Sequence, residues 1–302
     1  MALAGLPDAF AACSRAEEAA KAFREHGFCV LAPELAGFGQ NCLNQLREAC
    51  VAYTPHAGNL RPDADDADDA DDAEGSVALR YSLNSQDNMA DVRWRDAAIA
   101  AVQGPVGECL RQVAGQVRFD LAGGDVVHAG GHGQSLHSDD LGWWGGYDWP
   151  GSIAVSIFVD DATDKAAPLR IVPKSVVAEP PRFGQEIAEE LSRRVLAPRG
   201  AVLVRDVNVW HSGTANETLE PRYLPGFRVI TSARLGDFAY RPRRCVSAVD
   251  FERFFPTEEL ATFFEYIWRE ATQEESDREL CLLVRRQAFR ASASDLASAR
   301  LL

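Results

Sequence analysis

From Val117 to Ser232 the chain runs as a series of short β-rich segments, "VRFDL", "DVVHAG", "SIAVSIFVDD", "LRIVP", "AVLVRDV" and "FRVITSA", separated by glycine, proline and aspartate. Branched and aromatic residues favour extended backbone, and the punctuation between them is turn chemistry. Many short strands must bury their faces by packing sheet on sheet, so a sandwich or barrel is expected. One helical piece, "GQEIAEELSRR", interrupts the series. Before it, "EEAAKAFREHG" has helical spacing and ends at Gly27, a C-cap; "FCVLA" reads as a strand and "FGQNCLNQLREACVAY" as an amphipathic helix. "DAAIAAVQGPVGECLRQVAG" reads as a long helix broken or kinked near Pro105. After the β region, "PTEELATFFEYIWREAT" and "DRELCLLVRRQAF" return to helix. The expectation is one domain over residues 1–302, mainly β with flanking helices, its core buttressed at both ends of the chain.

One segment stands apart. "RPDADDADDADDAEG" is an Asp-Asp-Ala repeat with no apolar residue larger than alanine, and residues 62–75 are expected to form a disordered insert. It lacks the central glycine and the closing glutamate spacing of a calcium loop. Its eight acids supply over half of the net charge of −14, so the rest of the chain is only mildly acidic. An acidic chain repels phosphate backbones, which argues against nucleic acid as a partner. No apolar run of about 18 residues suggests a membrane span, and the N-terminus lacks the pattern of a secretory signal. Seven cysteines stand singly with no CxxC, which argues against a disulfide framework or a zinc-cysteine site and for a reducing, cytoplasmic location.

The chemistry concentrates in "SLHSDDLGWWGGYDWPG". In "LHSDD", His137 and Asp139 are separated by one residue. At a strand end their side chains leave on the same face, with Asp140 on the other. A third ligand from another strand is available in His211, which closes the run "GAVLVRDVNVWH". Two histidines and one carboxylate with open positions are the facial set of non-haem Fe(II) oxygenases. Arg222 follows His211 by eleven residues. A guanidinium binds a carboxylate through two parallel hydrogen bonds, so on the next strand it could hold the far end of an oxo-acid chelating the metal.

With these pieces in order, the chain resembles the phytanoyl-CoA dioxygenase family of Fe(II)- and 2-oxoglutarate-dependent oxygenases. The matching segments are "GFCVLAPEL", "HSD" at 137, "VDDATDKAAPLRIVPKS" and "GAVLVRDVNVWHSGTANETLEPR", covering roughly residues 20–235. The resemblance implies a double-stranded β-helix (a jelly-roll, cupin-like core), with Fe(II) held by His137, Asp139 and His211. It implies 2-oxoglutarate on Arg222, with Gln134 at a position that often contacts the same co-substrate; Ser156 is a further candidate from its place in its strand. It also implies O2 as oxidant and release of succinate and CO2, with hydroxylation, desaturation or cyclisation of a small-molecule substrate. Because Asp139 is present, hydroxylase-type and not halogenase chemistry is expected. The chain departs from the family's "GPLRVVPGSH"-like segment: Ala166 and Ala167 stand for Asn-Gly, and Lys174 and Val176 for glycine and histidine.

Trp143, Trp144, Tyr147 and Trp149 follow Asp139 directly. They read either as walls of an apolar or cationic substrate pocket or as rings packing a loop onto the barrel rim, with Gly145 and Gly146 allowing a tight or mobile turn. Arg80 and Tyr81 read either as reaching the site or as surface or sheet packing. His128 and His132 lack ligand spacing and read as structural or supporting residues. Alternatives to a metabolite oxygenase are an acyl-CoA hydroxylase of the same family, a hydrolase or isomerase using the same ligands with another metal, and a catalytically silent binding protein.

Overall fold

Helix α1 (Ala16–His26) places Ala16, Ala19, Ala20 and Phe23 on one buried stripe, the i, i+3, i+4, i+7 spacing of a surface helix. Glu17 and Glu18 in its first turn and Arg24 and His26 in its last complement the helix dipole. It stops at Gly27, whose φ of 83° lets its N–H reach the Phe23 carbonyl at 2.7 Å. The computed structural model describes residues 9–53, 79–83, 91–115, 117–139, 151–175 and 190–231. The acidic insert, Asp140, the aromatic run from Trp143 through Trp144 and Tyr147 to Trp149, and the C-terminal helices expected from the sequence lie outside the described residues.

Among the described residues the further named helices are α2 (Pro33–Ala36), α3 (Gln40–Tyr53), α4 (Val92–Gln103) and α5 (Pro105–Ala114). The long helix expected to break or kink near Pro105 is broken there into α4 and α5. Gly104 is extended and Pro105, with no N–H to donate, opens the second helix. Gly107 then packs so closely that a Cβ there would lie 1.9 Å from the Val102 carbonyl oxygen, which holds the two helices at a tight turn.

The strands are β1 (Ala12–Cys13), β2 (Phe28–Leu31), β3 (Arg80–Ser82), β4 (Val117–Val127), β5 (Ser152–Ile157), β6 (Leu169–Ile171), β7 (Arg193–Arg194), β8 (Val202–Asp206), β9 (His211–Gly213) and β10 (Arg222–Thr231). Seven form one sheet in the order β1-β2-β8-β5-β10-β4-β3, and three form a smaller one, β7-β6-β9. All pairs are antiparallel except β1 with β2. This is the major and minor sheet of a double-stranded β-helix, the jelly-roll core expected from the sequence.

Alternation sorts the strands. Val202 and Val204 of β8, Ile153, Val155 and Ile157 of β5 and Tyr223 and Phe227 of β10 pack with α1, α3, α4 and α5 through Phe23, Leu43, Leu46, Trp94 and Leu110. Leu203 and Leu224 turn to the other side, with Leu169 and Ile171 of the minor sheet. Removing a ring such as that of Phe23, fully buried in the first cluster, would cost about 3–5 kcal/mol. Arg205, Ser156 and Arg222 fall on the inter-sheet side by the same alternation.

Two strand expectations are corrected. "VRFDL" and "DVVHAG" are not separate strands but the single β4, whose Gly123 and Gly124 pair with Gly226 and Pro225 of β10. Gly124 has φ 136°, and a Cβ there would sit 2.0 Å from the Leu224 carbonyl oxygen, so glycine serves close approach and not a turn. The end of "GQEIAEELSRR" is also not helix. Arg193 and Arg194 form β7, paired with Ile171 and Arg170.

Candidate metal centre

His137 and His211 are joined by their backbones before their side chains meet. Each N–H donates to the other's carbonyl at 2.9 Å, an isolated antiparallel bridge between the HxD segment and β9. The bridge sets the two imidazoles side by side, centroids 4.6 Å apart. The Asp139 N–H donates to the Val207 carbonyl at 3.1 Å, which brings its carboxylate back over the pair. His137 and Asp139 therefore share a side, as the spacing implied, although through a single bridge and a bend and not a regular strand end.

The ring orientations suit a metal. Nδ1 of His137 lies 2.9 Å from the Ser135 carbonyl and Nδ1 of His211 lies 2.8 Å from the Val209 carbonyl. A carbonyl can only accept, so each Nδ1 carries the proton and each Nε2 is left as a lone-pair donor. Oδ1 of Asp139 lies 3.7 Å from Nε2 of His137 and 3.5 Å from Nε2 of His211, and the three donor atoms all lie within 4.8 Å of one another. Adjacent ligands at about 2.1 Å from one ion are themselves roughly 3.0–3.5 Å apart, so the two carboxylate–imidazole distances are at or just above that range, and the three donors need only draw together to meet on one ion. Among the described residues this is the one such cluster of histidine, cysteine and acidic side chains.

Charge supports the same state. Burial opposes ionisation of Asp139, but Arg205 and His211 outweigh it and hold the carboxyl well below its ordinary range. Burial and the Arg205 charge lower the pKa of His211 against the pull of Asp139, which keeps the imidazole neutral. Carboxylate and neutral imidazole are the protonation states that ligate metal.

Arg222 opens β10 and is buried, with 7% exposure. Nε donates to the Ala167 carbonyl at 3.0 Å and Nη1 to Oδ1 of Asp125 at 2.6 Å; Nη2 is buried without a partner. An unsatisfied guanidinium N–H is a donor awaiting an acceptor, and a carboxylate would supply one. Asp125 is shared: its Oδ2 accepts from Nη1 of Arg80 at 2.9 Å. Arg80 is not on the surface. It is 1% exposed, and its Nη2 donates to the Thr214 carbonyl at 2.9 Å and to that of His132 at 3.3 Å. Gln134 sits beside β9, donating its N–H to the Gly213 carbonyl at 2.9 Å and accepting the Gly213 N–H on Oε1 at 3.1 Å. Ser156 lies on β5 opposite Gly226 and Leu203, half-buried.

Three further residues were not anticipated. Arg205 donates from Nη2 to Oδ2 of Asp139 at 2.7 Å. Asp125 couples Arg222 to Arg80. Ser175 donates to the Val172 carbonyl at 2.7 Å and accepts the Trp210 N–H at 2.8 Å, pinning the residue before His211. A charge inside the apolar run "VLVRD" is the trace that could have singled out Arg205. Nothing local marks Asp125 or Ser175.

The phytanoyl-CoA dioxygenase (PhyH) family pattern matches residues 23–223, about two thirds of the chain, and spans every element of the site just described. The chain belongs to this family. It is thus an enzyme of the non-haem iron, 2-oxoglutarate-dependent class. Solved structures similar to this PhyH chain share its fold at low identity. The 2-oxoglutarate-dependent epimerase SnoN of nogalamycin biosynthesis is 15% identical at a TM-score of 0.53, covering 76% of this chain and 92% of its own. The carbocyclase SnoK of the same pathway is 14% identical at 0.52, covering 74% and 88%. HygX from Streptomyces hygroscopicus, solved with nickel, 2-oxoglutarate and hygromycin B, is 15% identical at 0.52, covering 76% and 90%. No functionally curated protein matches the chain. No helix among the described residues is long and apolar enough to cross a membrane.

Proposed function

We propose that this PhyH protein is an Fe(II)- and 2-oxoglutarate-dependent dioxygenase that oxidises a small-molecule metabolite, by hydroxylation or by desaturation or cyclisation, with release of succinate and CO2. The observation that carries the reading is the convergence of Nε2 of His137, Nε2 of His211 and Oδ1 of Asp139, with both Nδ1 protons tied to backbone carbonyls. These three side chains would hold Fe(II) on one face. Arg222 would take the distal carboxylate of 2-oxoglutarate through its open Nη2 donor, with Gln134 and Ser156 as further co-substrate contacts. Iron with bound 2-oxoglutarate and O2 supplies a two-electron oxidation in which the oxo-acid loses CO2.

The remaining work belongs to the protein. The backbone bridge between His137 and His211 holds both side chains side by side, which would lower the ordering cost of metal binding. Arg222, at the start of β10 on the inter-sheet side, would set the direction of the co-substrate. Trp143, Trp144 and Tyr147, directly after the HxD segment, are proposed as substrate contacts, with Arg80 as a buried support. A metabolite substrate accords with the nogalamycin RO and hygromycin B bound in the structures of SnoN and HygX. The test is succinate release from 2-oxoglutarate with added Fe(II) and O2. Release in the wild type and none in His211→Ala supports the proposal; no release from protein loaded with Fe(II) contradicts it.

A further inference from the structure

Arg205 has no place in the ligand set, yet its guanidinium contacts Asp139 directly. It lies on β8 on the same side as Leu203, between the two sheets, and is 9% exposed. A buried charge is costly unless paired. Among the described residues its side-chain hydrogen bond goes to Asp139, at 2.7 Å from Nη2, while Nδ1 of His211 lies 3.3 Å from Nη1. That second approach is not a hydrogen bond, because Nδ1 carries the proton it gives to the Val209 carbonyl and cannot accept. Asp139 is therefore the reason for a guanidinium here.

The grip is selective for one oxygen. Arg205 holds Oδ2, while Oδ1 faces both imidazoles at 3.5 and 3.7 Å. A carboxylate free to rotate can chelate a metal with both oxygens and occupy two positions. With Oδ2 engaged, Asp139 has one oxygen to give. Two imidazoles and one carboxylate oxygen leave three positions of an octahedron, enough for a chelating oxo-acid and one further oxygen ligand; a chelating Asp139 would leave two.

We propose that Arg205 is a positioning residue of the metal centre, which holds Asp139 as a one-oxygen ligand and so keeps a third coordination position open. The inference rests on the reading of His137, Asp139 and His211 as metal ligands. It also makes a prediction of unusual sign. Arg205 is a cation next to a site for a dication, so as a bare charge it can only weaken metal binding. As an orienting group it strengthens binding, and loss of such a partner typically weakens affinity by about 10–100-fold.

The experiment is Mn(II) titration of the purified protein, followed by electron paramagnetic resonance, in wild type, Arg205→Met, Arg205→Lys and His137→Ala, with folding checked by circular dichroism. Arg205→Met, near the same length with neither charge nor donors, should bind Mn(II) about 10–100-fold more weakly. Arg205→Lys, which retains one donor, should recover part of the loss. Unchanged or tighter binding in Arg205→Met overturns the inference. A Ni(II)-loaded wild-type crystal structure tests the same point without a variant: Asp139 should ligate through Oδ1 alone with Oδ2 on Arg205, and a chelating Asp139 overturns it. If His137→Ala binds Mn(II) like wild type, or wild type binds none, the ligand assignment itself fails. Normal wild-type binding that Arg205→Met leaves undiminished removes the role of Arg205 alone.

Discussion

Arg222 and Arg80 flank β4 at the same register. Both pair opposite Val127, one from each neighbouring strand, and both close on Asp125, at 2.6 Å to Oδ1 and 2.9 Å to Oδ2. The proposed co-substrate anchor is thus held by a carboxylate that a second, fully buried arginine holds in turn. Arg80 extends the chain of contacts to the Thr214 carbonyl, three residues beyond His211.

Asp125→Asn should remove the charge that both guanidiniums share. Leaving buried cations short of a counter-ion costs on the order of 3 kcal/mol, which denaturant unfolding at neutral pH would read as a lower midpoint. The pH dependence has a definite sign. Burial pushes the Asp125 pKa up, but Arg222 and Arg80 outweigh it and hold it below the ordinary value. A lowered folded pKa gives stability that is present above the unfolded value of about 3.9 and lost as pH falls through the folded one. The wild type should therefore lose this contribution below about pH 4, and the difference between wild type and variant should shrink there. A difference that stays constant from neutral to acid pH would show that Asp125 is not the titrating partner.

Arg222→Ala should raise the 2-oxoglutarate dissociation constant by about 10–100-fold, the worth of one or two charge-assisted hydrogen bonds. Metal affinity should stay near wild type, since Arg222 contacts none of the three proposed ligands. Isothermal titration with Mn(II)-loaded protein separates the two. An unchanged 2-oxoglutarate constant would transfer the role to another cation, Arg228 on the same strand being the next candidate.

Ala167 and Lys174 occupy the left-handed region, with φ of 46° and 64°, at the positions where the family carries glycine. The departure seen in the sequence is a backbone cost, about 1–2 kcal/mol for an L-residue there. The Ala167 carbonyl is nevertheless the acceptor for Nε of Arg222, so the turn serves the site. Lys174→Gly should stabilise the protein by roughly 0.5–1 kcal/mol after the entropy of glycine is counted, raising the melting temperature by about 2 °C. A lower melting temperature would mean that the Lys174–Glu25 pair, 3.9 Å apart, matters more than the backbone.

The clustering of His137, Asp139 and His211 was legible because it depends on short spacings and strand order. His-x-Asp fixes a side locally, and His211 and Arg222 are identified by where they end and begin adjacent runs. Arg205 and Asp125 were not, because their partners are distant in sequence: 66 residues separate Arg205 from Asp139 and 97 separate Asp125 from Arg222. A charge in "VLVRD" shows that something must neutralise it, but not what. Gly123 and Gly124 misled for a related reason. Glycine marks a turn and a close strand contact alike, and only the position of the Leu224 carbonyl distinguishes them.

The most direct measurement is anaerobic absorption spectroscopy on adding Fe(II) and then 2-oxoglutarate. The account predicts a visible charge-transfer band in the wild type, its loss in His211→Ala and Asp139→Ala, and its persistence in Asp140→Ala. A band that survives in His211→Ala or Asp139→Ala, or that vanishes in Asp140→Ala alone, would contradict the assignment of His137, Asp139 and His211 as the metal centre.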